Sequence, residues 1–528
     1  MSANTYDVIV IGAGHNGLVA SFYFAKQGLK TLVLERREIV GGACVTEEFA
    51  PGFRASPAAY VLSMLRPAIW RDMELEQRGL SISAAGPTLN VFPDGGHLYL
   101  HERADLKSEE IGRFSKRDAR RFAQFEEGLA DVAPVVMGFY DRPPPQPDAR
   151  RRRDLASLAS LSFTSLRHRS ELAHLAYLFS TSMAQYLDGH FESEALKASL
   201  GWECISNTLA GPSTPGTAFV LLHDVASAAS GGAGRQWGFV PGGMGVVTQL
   251  MADAARQQGV EIRLAQEVKE ITTANGRATG VILVGDEEIT ASAVVSNADP
   301  KRTFLNLLDS SALSEDFRSA VEAYRCTGAS MKINLALAEL PYINGLPKDG
   351  VQPYHHGLTQ ITSPLEKLDA DQESARRGVP VLDPHMEICF PTVHDPNLAP
   401  PGRHVLTIGA RSQPYALRDA SWKTLRDGAA DAVIRHLTQF MPDLPSLILD
   451  REVLSPKDLE TRFALTGGHH LHGDMAPDQL LFLRPVRGCA GYRTPIRSLY
   501  LCGAGTHPGG GVTGANGRNC ALDIGPEI

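Results

Sequence analysis

Six consecutive residues near the start of the chain, Gly12-Ala13-Gly14-His15-Asn16-Gly17, have the glycine spacing of a turn that holds a pyrophosphate. Each glycine has a distinct role, since Gly12 makes the tight turn, Gly14 lets backbone approach the phosphates, and Gly17 allows a helix to pack closely on a strand. A carboxylate some twenty residues later completes this arrangement, and Glu35 stands there, able to accept hydrogen bonds from both ribose hydroxyls. Acid–base capacity lies elsewhere, in His507 and in Gly467-Gly468-His469-His470-Leu471-His472. The latter pattern invites a metal. Because no cysteine or carboxylate at a recognised ligand spacing accompanies it, it reads as a polar loop or substrate contact.

The elements that must position the glycine turn are readable around it. Val8-Ile9-Val10-Ile11 is a short β-branched apolar run, as expected of a strand buried on both faces of a parallel sheet. A helix is predicted over Leu18 to Ala25, ending near Gly28, where its N-terminus offers free N–H groups to phosphate. A second strand over Thr31 to Leu34 delivers Glu35. This strand–turn–helix–strand unit does not separate NAD from FAD, and Arg36 with Arg37 would suit a 2′-phosphate.

The following residues decide between them. With Glu35 followed by Arg36-Arg37-Glu38-Ile39-Val40-Gly41-Gly42-Ala43, the chain resembles the glutathione-reductase-like flavoprotein superfamily, whose Gly-Gly pair lies close to the FAD pyrophosphate. Disulfide reductases of that superfamily continue with a redox cysteine pair. Cys44 occupies the first place but Phe49 the second, so a dithiol mechanism is not available and Cys44 reads as a small buried residue.

Residues from about Pro67 to Trp237 read mainly as helices, broken by Arg142-Pro143-Pro144-Pro145-Gln146-Pro147. Arg150 to Arg153 is a basic run, a solvated surface with a lesser prospect of peripheral contact with anionic lipid. The apolar stretch Leu172 to Phe179 reads as a buried helix. Order returns at Pro241-Gly242-Gly243-Met244-Gly245, then a helix from Val246 to about Gln258 and a meander of short strands from Val260 to Ala291 with an Asn275-Gly276 turn. The block closes on Val295-Ser296-Asn297-Ala298-Asp299-Pro300. The superfamily resemblance implies that this series rejoins the nucleotide-binding fold and makes Val268 a neighbour of the adenine.

At the far end, a strand over Arg497 to Cys502 leads into Gly503-Ala504-Gly505-Thr506-His507-Pro508-Gly509-Gly510-Gly511-Val512-Thr513-Gly514-Ala515. This closely resembles the C-terminal signature of the phytoene dehydrogenase or carotenoid desaturase family. The extra glycines and Asn516-Gly517-Arg518-Asn519-Cys520-Ala521 are similar to its pyridine nucleotide-disulphide oxidoreductase domain-containing branch. The resemblance implies an α/β fold with a discontinuous, Rossmann-type FAD-binding domain (1–75, 235–305 and 490–528) and an inserted α+β substrate domain (76–234 and 306–489). It implies FAD contacts at Gly503, Ala504, Gly505, Val512 and Gly514, with a helix starting near Gly514 aimed at the flavin.

Composition narrows the rest. A net charge of −8 disfavours nucleic acid as a partner. The seven cysteines show no CxxC pair or zinc spacing, which fits reduced thiols, and with no signal peptide or spanning segment read, the expected location is cytoplasmic. The activity implied is FAD-dependent hydride transfer between a C–H or C=C of an apolar, isoprenoid or lipid-like substrate and flavin N5, with oxygen, a quinone or another carrier accepting the electrons. Three alternatives stay open: a redox-neutral isomerase or hydratase using reduced FAD, an amine oxidase, and a non-enzymatic flavoprotein. Ala43 stands where amine oxidases usually carry arginine, which weakens the second of these.

Overall fold

The computed structural model describes residues 5–144, 169–206, 208–222, 238–328 and 330–528. Two seven-stranded sheets organise them. In the first, β1 (Thr5–Ile11) lies between β2 (Thr31–Leu34) and the strand Glu288–Ser296, parallel to both. Glu261–Arg263 extends one edge, and Val268–Ala274 with Arg277–Leu283 forms an antiparallel pair on the other. The Glu288–Ser296 strand is shared: its first half pairs with Arg277–Leu283 and its second half with Leu499–Leu501.

Helix α1 (His15–Lys26) crosses from β1 to β2 and is buried along most of its length, from Asn16 to Phe24. It is sandwiched by Gly245–Gln257 and the C-terminal helix Ala515–Ile524. Its near-continuous apolar sequence fits a helix covered on several sides. A Cβ at Gly517 would stand 2.0 Å from the Asn16 carbonyl oxygen, so the C-terminal helix touches α1 backbone to backbone.

The second sheet runs Ile448–Leu454, Met331–Leu337, His404–Ala410, Met386–Cys389, Thr359–Ile361, Thr88–Val91, His97–Leu100. Its last two strands correct the helical reading of the region after Pro67: they form a hairpin closed at Asp94-Gly95-Gly96, and Thr88–Val91 pairs in parallel with Thr359–Ile361, a partner far away in sequence. Helices do dominate the remainder, including Lys116–Tyr140, Met183–His190 and Glu194–Gly201. Helix Arg169–Ser180 buries only Leu178 among the described residues and leaves Tyr177 about half exposed, so the expected buried helix is a surface one. The Arg150–Arg153 run lies outside the described residues. No described helix is long and apolar enough to cross a membrane.

Candidate active site

The parallel sheet carries the glycine turn to the mouth of a cavity of about 390 Å³. Gly12 leaves β1 with φ +94°, a left-handed conformation open to glycine, and Gly14 is the N-cap of α1. No side chain caps that helix, so its first N–H groups remain for an anion. Glu35 is fixed from both sides, its Oε2 accepting from the Ala13 amide at 2.8 Å and its Oε1 from the Arg37 amide at 2.9 Å. The carboxylate keeps free lone pairs towards the cavity it lines.

A second loop closes against this one. The Gly41 amide donates to the Ala13 carbonyl at 2.8 Å, and a Cβ on Gly42 would lie 3.3 Å from the Gly14 Cα. The Gly242–Gly245 turn holds that loop from behind, the Gly245 amide donating to Thr46 Oγ1 at 2.9 Å and Thr248 Oγ1 to the Cys44 carbonyl at 2.8 Å. Asn297 sits under the turn and donates to the Gly12 carbonyl at 3.3 Å. The motifs spread over the first 300 residues thus meet at one place.

Of the residues expected to touch the cofactor, Gly12, Gly14, His15, Asn16, Glu35 and Arg36 line the cavity. So do Gly41, Gly42, Ala43, Val268, Ala504 and Val512. Five do not reach it. Ala13 gives its amide to Glu35; Gly17, Gly503 and Gly505 are packing points, where a Cβ would meet the Gly12 carbonyl at 2.1 Å, the Asn297 carbonyl at 2.6 Å and the Pro300 ring at 2.4 Å. Gly514 takes φ +67° to start the C-terminal helix and faces Ile69 and Val19. Arg36 donates to the Thr461 and Arg462 carbonyls, and so fastens the nucleotide fold to the inserted part.

The opposite wall is the second sheet. Register aligns Lys332, Gly409 and Glu387 in one row across three neighbouring strands, and Arg411 lies two residues past Gly409 on the same face. All four line the cavity, with Tyr60, Met64, Trp202 and Leu471 around them. The Lys332 ammonium sits 3.3 Å from the Tyr60 ring centroid. Burial depresses it to about 7, whereas burial raises the Glu387 carboxyl. Since an unfolded lysine titrates at about 10.4, between these pH values the unfolded chain binds a proton that the folded chain lacks. Stability contributed by this group therefore climbs with pH through that window. Lys332→Met should raise the melting temperature near neutral pH by roughly 2 °C or more and flatten the slope in alkaline buffer. A lower melting temperature would show the ammonium to be well paired.

Two expected acid–base candidates prove structural. His507 does not line the cavity; its Nε2 donates to the Phe139 carbonyl at 2.7 Å, and burial holds its imidazole down at about 4. His469 is fully buried, its Nδ1 accepting from the Leu471 and Gly473 amides while Nε2 meets Asp474 at 3.3 Å. Asp474, two residues beyond the motif, is a partner that the spacing of the histidines does not reveal. His470 and His472 do line the cavity, and burial keeps both neutral. Among the described residues no three metal-type ligands come together. Cys44 borders the cavity as a buried thiol, pushed up to about 12 by desolvation, and all seven cysteines are buried and outside any disulfide. A native thiol titration should register close to none of them in the minutes before unfolding exposes all seven; rapid reaction of one would contradict this packing.

Residues 17–521 match the family model of flavin containing amine oxidoreductases. The chain belongs to that family. It is 37% identical over 540 residues to pyridine nucleotide-disulfide oxidoreductase domain-containing protein 2 of Mus musculus, covering 98% of this chain and 92% of that one. It is 27% identical to a subunit of the limonene dehydrogenase of Castellaniella defragrans (99% and 95% covered) and 27% identical to the lycopene-forming phytoene desaturase of Pseudescherichia vulneris (96% of each). Among solved structures, putrescine oxidase bound to putrescine superposes with a TM-score of 0.61 at 16% identity, covering 99% of both chains, and cyclohexylamine oxidase of Brevibacterium oxydans with 0.56 at 17%, also covering 99% of each. These last show the shared fold.

This member of the flavin amine oxidoreductase family is an FAD-dependent oxidoreductase. Its residues fit the cofactor on grounds internal to the structure. His15 Nε2 and Asn16 Oδ1 are buried at the glycine turn without a hydrogen-bond partner among the described residues, and the uncapped helix start and the Glu35 carboxylate border the same space. Glu35 would take the ribose hydroxyls, the α1 start the pyrophosphate, and Val268 would flank the adenine. Glu35→Gln replaces an acceptor of two backbone amides with a group carrying one acceptor oxygen. FAD affinity should fall about tenfold, read by fluorescence as flavin release on dilution.

Proposed function

We propose that this chain dehydrogenates a largely apolar substrate: two hydrogens leave adjacent carbons as a C=C forms, one as a hydride that bound FAD would accept and the other as a proton released to solvent. FAD, when bound, supplies the two-electron chemistry. The chain's own residues bind the carbon skeleton, orient it and keep water out. The observation that carries this reading is the continuity of the cavity: the space lined by the glycine turn and Glu35 is also lined by Tyr60, Val61, Met64, Val220 and Leu471. Relatives named for limonene and phytoene point the same way.

Anaerobic mixing of the holoprotein with a panel of apolar C–H donors tests it. Bleaching of the flavin absorbance by at least one donor, followed by recovery on adding oxygen or a soluble quinone, is the expected result. Reduction only by primary amines would move the assignment to an amine oxidase. Turnover that needs prereduced flavin and consumes no electrons would make the protein an isomerase or hydratase.

A further inference from the structure

The row Lys332–Gly409–Glu387, with Arg411 beside it, holds more positive charge than it neutralises. Lys332 and Arg411 are only 6% and 9% exposed. Lys332 Nζ and Arg411 Nε have no hydrogen-bond partner among the described residues. The one contact between Arg411 and Glu387 is 3.6 Å, too long for a hydrogen bond, and Glu387 Oε2 is already taken by Gln360 at 2.6 Å. Glu387 is the sole carboxylate acting on Arg411 among the described residues, and none acts on Lys332. Glu203, on the turn that carries Trp202, also lines the cavity. His385, His470 and His472 are held neutral by burial and add no charge.

Burying a cation without a hydrogen-bonded anion is costly; here the one carboxylate acting on Arg411 stands 3.6 Å away and Lys332 has none, so an anion from outside would complete the first and hold the second protonated. The space for it is built in. Gly409 sits in mid-strand, where a side chain would point into the cavity between Lys332 and Glu387; a Cβ there would meet no atom closer than 3.7 Å. The protein could therefore house a larger residue, and its absence leaves room for a ligand to reach the sheet. Arg411 offers the Nε edge of its guanidinium, the edge that pairs two-pronged with a planar carboxylate. Trp202 lies 5.7 Å from its guanidinium carbon and stacks on His385, holding that wall in place.

We infer that this wall is a carboxylate-binding subsite, and that the substrate is an apolar acid whose carboxylate is held by Arg411 and Lys332 while its carbon skeleton lies along Tyr60 and Met64. This rests on the dehydrogenase reading for the word substrate, but the subsite itself stands on the geometry alone. The test is equilibrium binding to the holoprotein of octanoate, octanol and octylamine, followed by perturbation of the flavin absorbance and by calorimetry.

Octanoate should bind about ten- to a hundredfold more tightly than octanol. Arg411→Gln should bring the two to parity, and Glu387→Gln should tighten octanoate several-fold, a gain that loss of structure does not produce. If Arg411→Gln fails to fold, Lys332→Met and Glu387→Gln decide the matter through the same ratio. Equal binding of octanoate and octanol, tighter binding of octylamine, or an octanoate preference that survives the Arg411 change would overturn the subsite. Octanoate preference without flavin reduction by any apolar donor, acid or neutral, would leave the subsite standing and reject the dehydrogenase reading; reduction by neutral apolar donors without octanoate preference would do the reverse.

Discussion

Gly17→Ala is expected to yield a protein that either fails to accumulate in soluble form or emerges from purification without flavin. A single methyl at this position would stand 2.1 Å from the Gly12 carbonyl oxygen and about 3.1 Å from the Asn297 amide nitrogen. Neither can retreat: Gly12 is tied to β2 by its amide and Asn297 to the Gly12 carbonyl. Relief requires α1 to lift from β1, which would move the helix start away from the pyrophosphate position. The cost belongs with the largest single-residue effects, roughly 4 kcal/mol or more. Gly428→Ala is the matched control, since Gly428 lies exposed inside helix Trp422–Leu437 with open space around it and should gain up to about 1 kcal/mol. Full flavin content in the Gly17 variant would show that the helix and strand are not in the close contact described.

Arg484→Met should cost about 3–5 kcal/mol of stability, visible as an early midpoint in urea, with reduced flavin retention in what folds. Arg484 is fully buried, and its guanidinium donates to carbonyls rather than to carboxylates: Leu471 and Ala504 at 2.9 Å, Asp474 at 3.2 Å, and Gln479 and Gly473 at 3.3 Å. One side chain thus closes the backbone of the histidine-rich loop onto the C-terminal glycine segment. Leu471 and Ala504 both line the cavity. Methionine fills the volume but strips the donor from the Leu471, Gly473, Gln479 and Ala504 carbonyls, that of Asp474 keeping only the Gln479 Nε2 at 3.3 Å, whereas Arg484→Lys supplies three donors from a different point and should recover only part of the loss. A wild-type urea curve for the methionine variant would mean that water serves those carbonyls equally well.

The nucleotide end of the site was legible because its chemistry is local. Gly12 to Gly17, Glu35 and the Gly41-Gly42 pair act through backbone shape within about forty residues, and β2 begins and ends where its apolar run does. The tail was legible for the same reason as far as Ala504 and Val512. Gly503, Gly505 and Gly514 serve packing and helix initiation, a role that spacing alone does not separate from facing a ligand. The charged wall was almost invisible in the sequence. Lys332, Glu387, Gly409 and Arg411 are brought together by antiparallel register across three strands, each ordinary in its own segment. The one available signal was a lysine inside the apolar run Met331–Leu337, a residue type that seldom lies fully within such a strand.

The sharing of the Glu288–Ser296 strand also has a consequence for how the molecule is made. Half of one edge of that strand waits for Leu499–Leu501, and one flank of α1 waits for Ala515–Ile524, so about two hundred residues must leave the ribosome before the nucleotide-binding half can finish assembling. During that interval a β-branched edge is unpaired and the glycine turn lacks its cover. A newly made chain would thus capture its cofactor late, once Ile524 has left the ribosome. Stop codons between Leu499 and Ile524 would then be as damaging as those two hundred positions earlier.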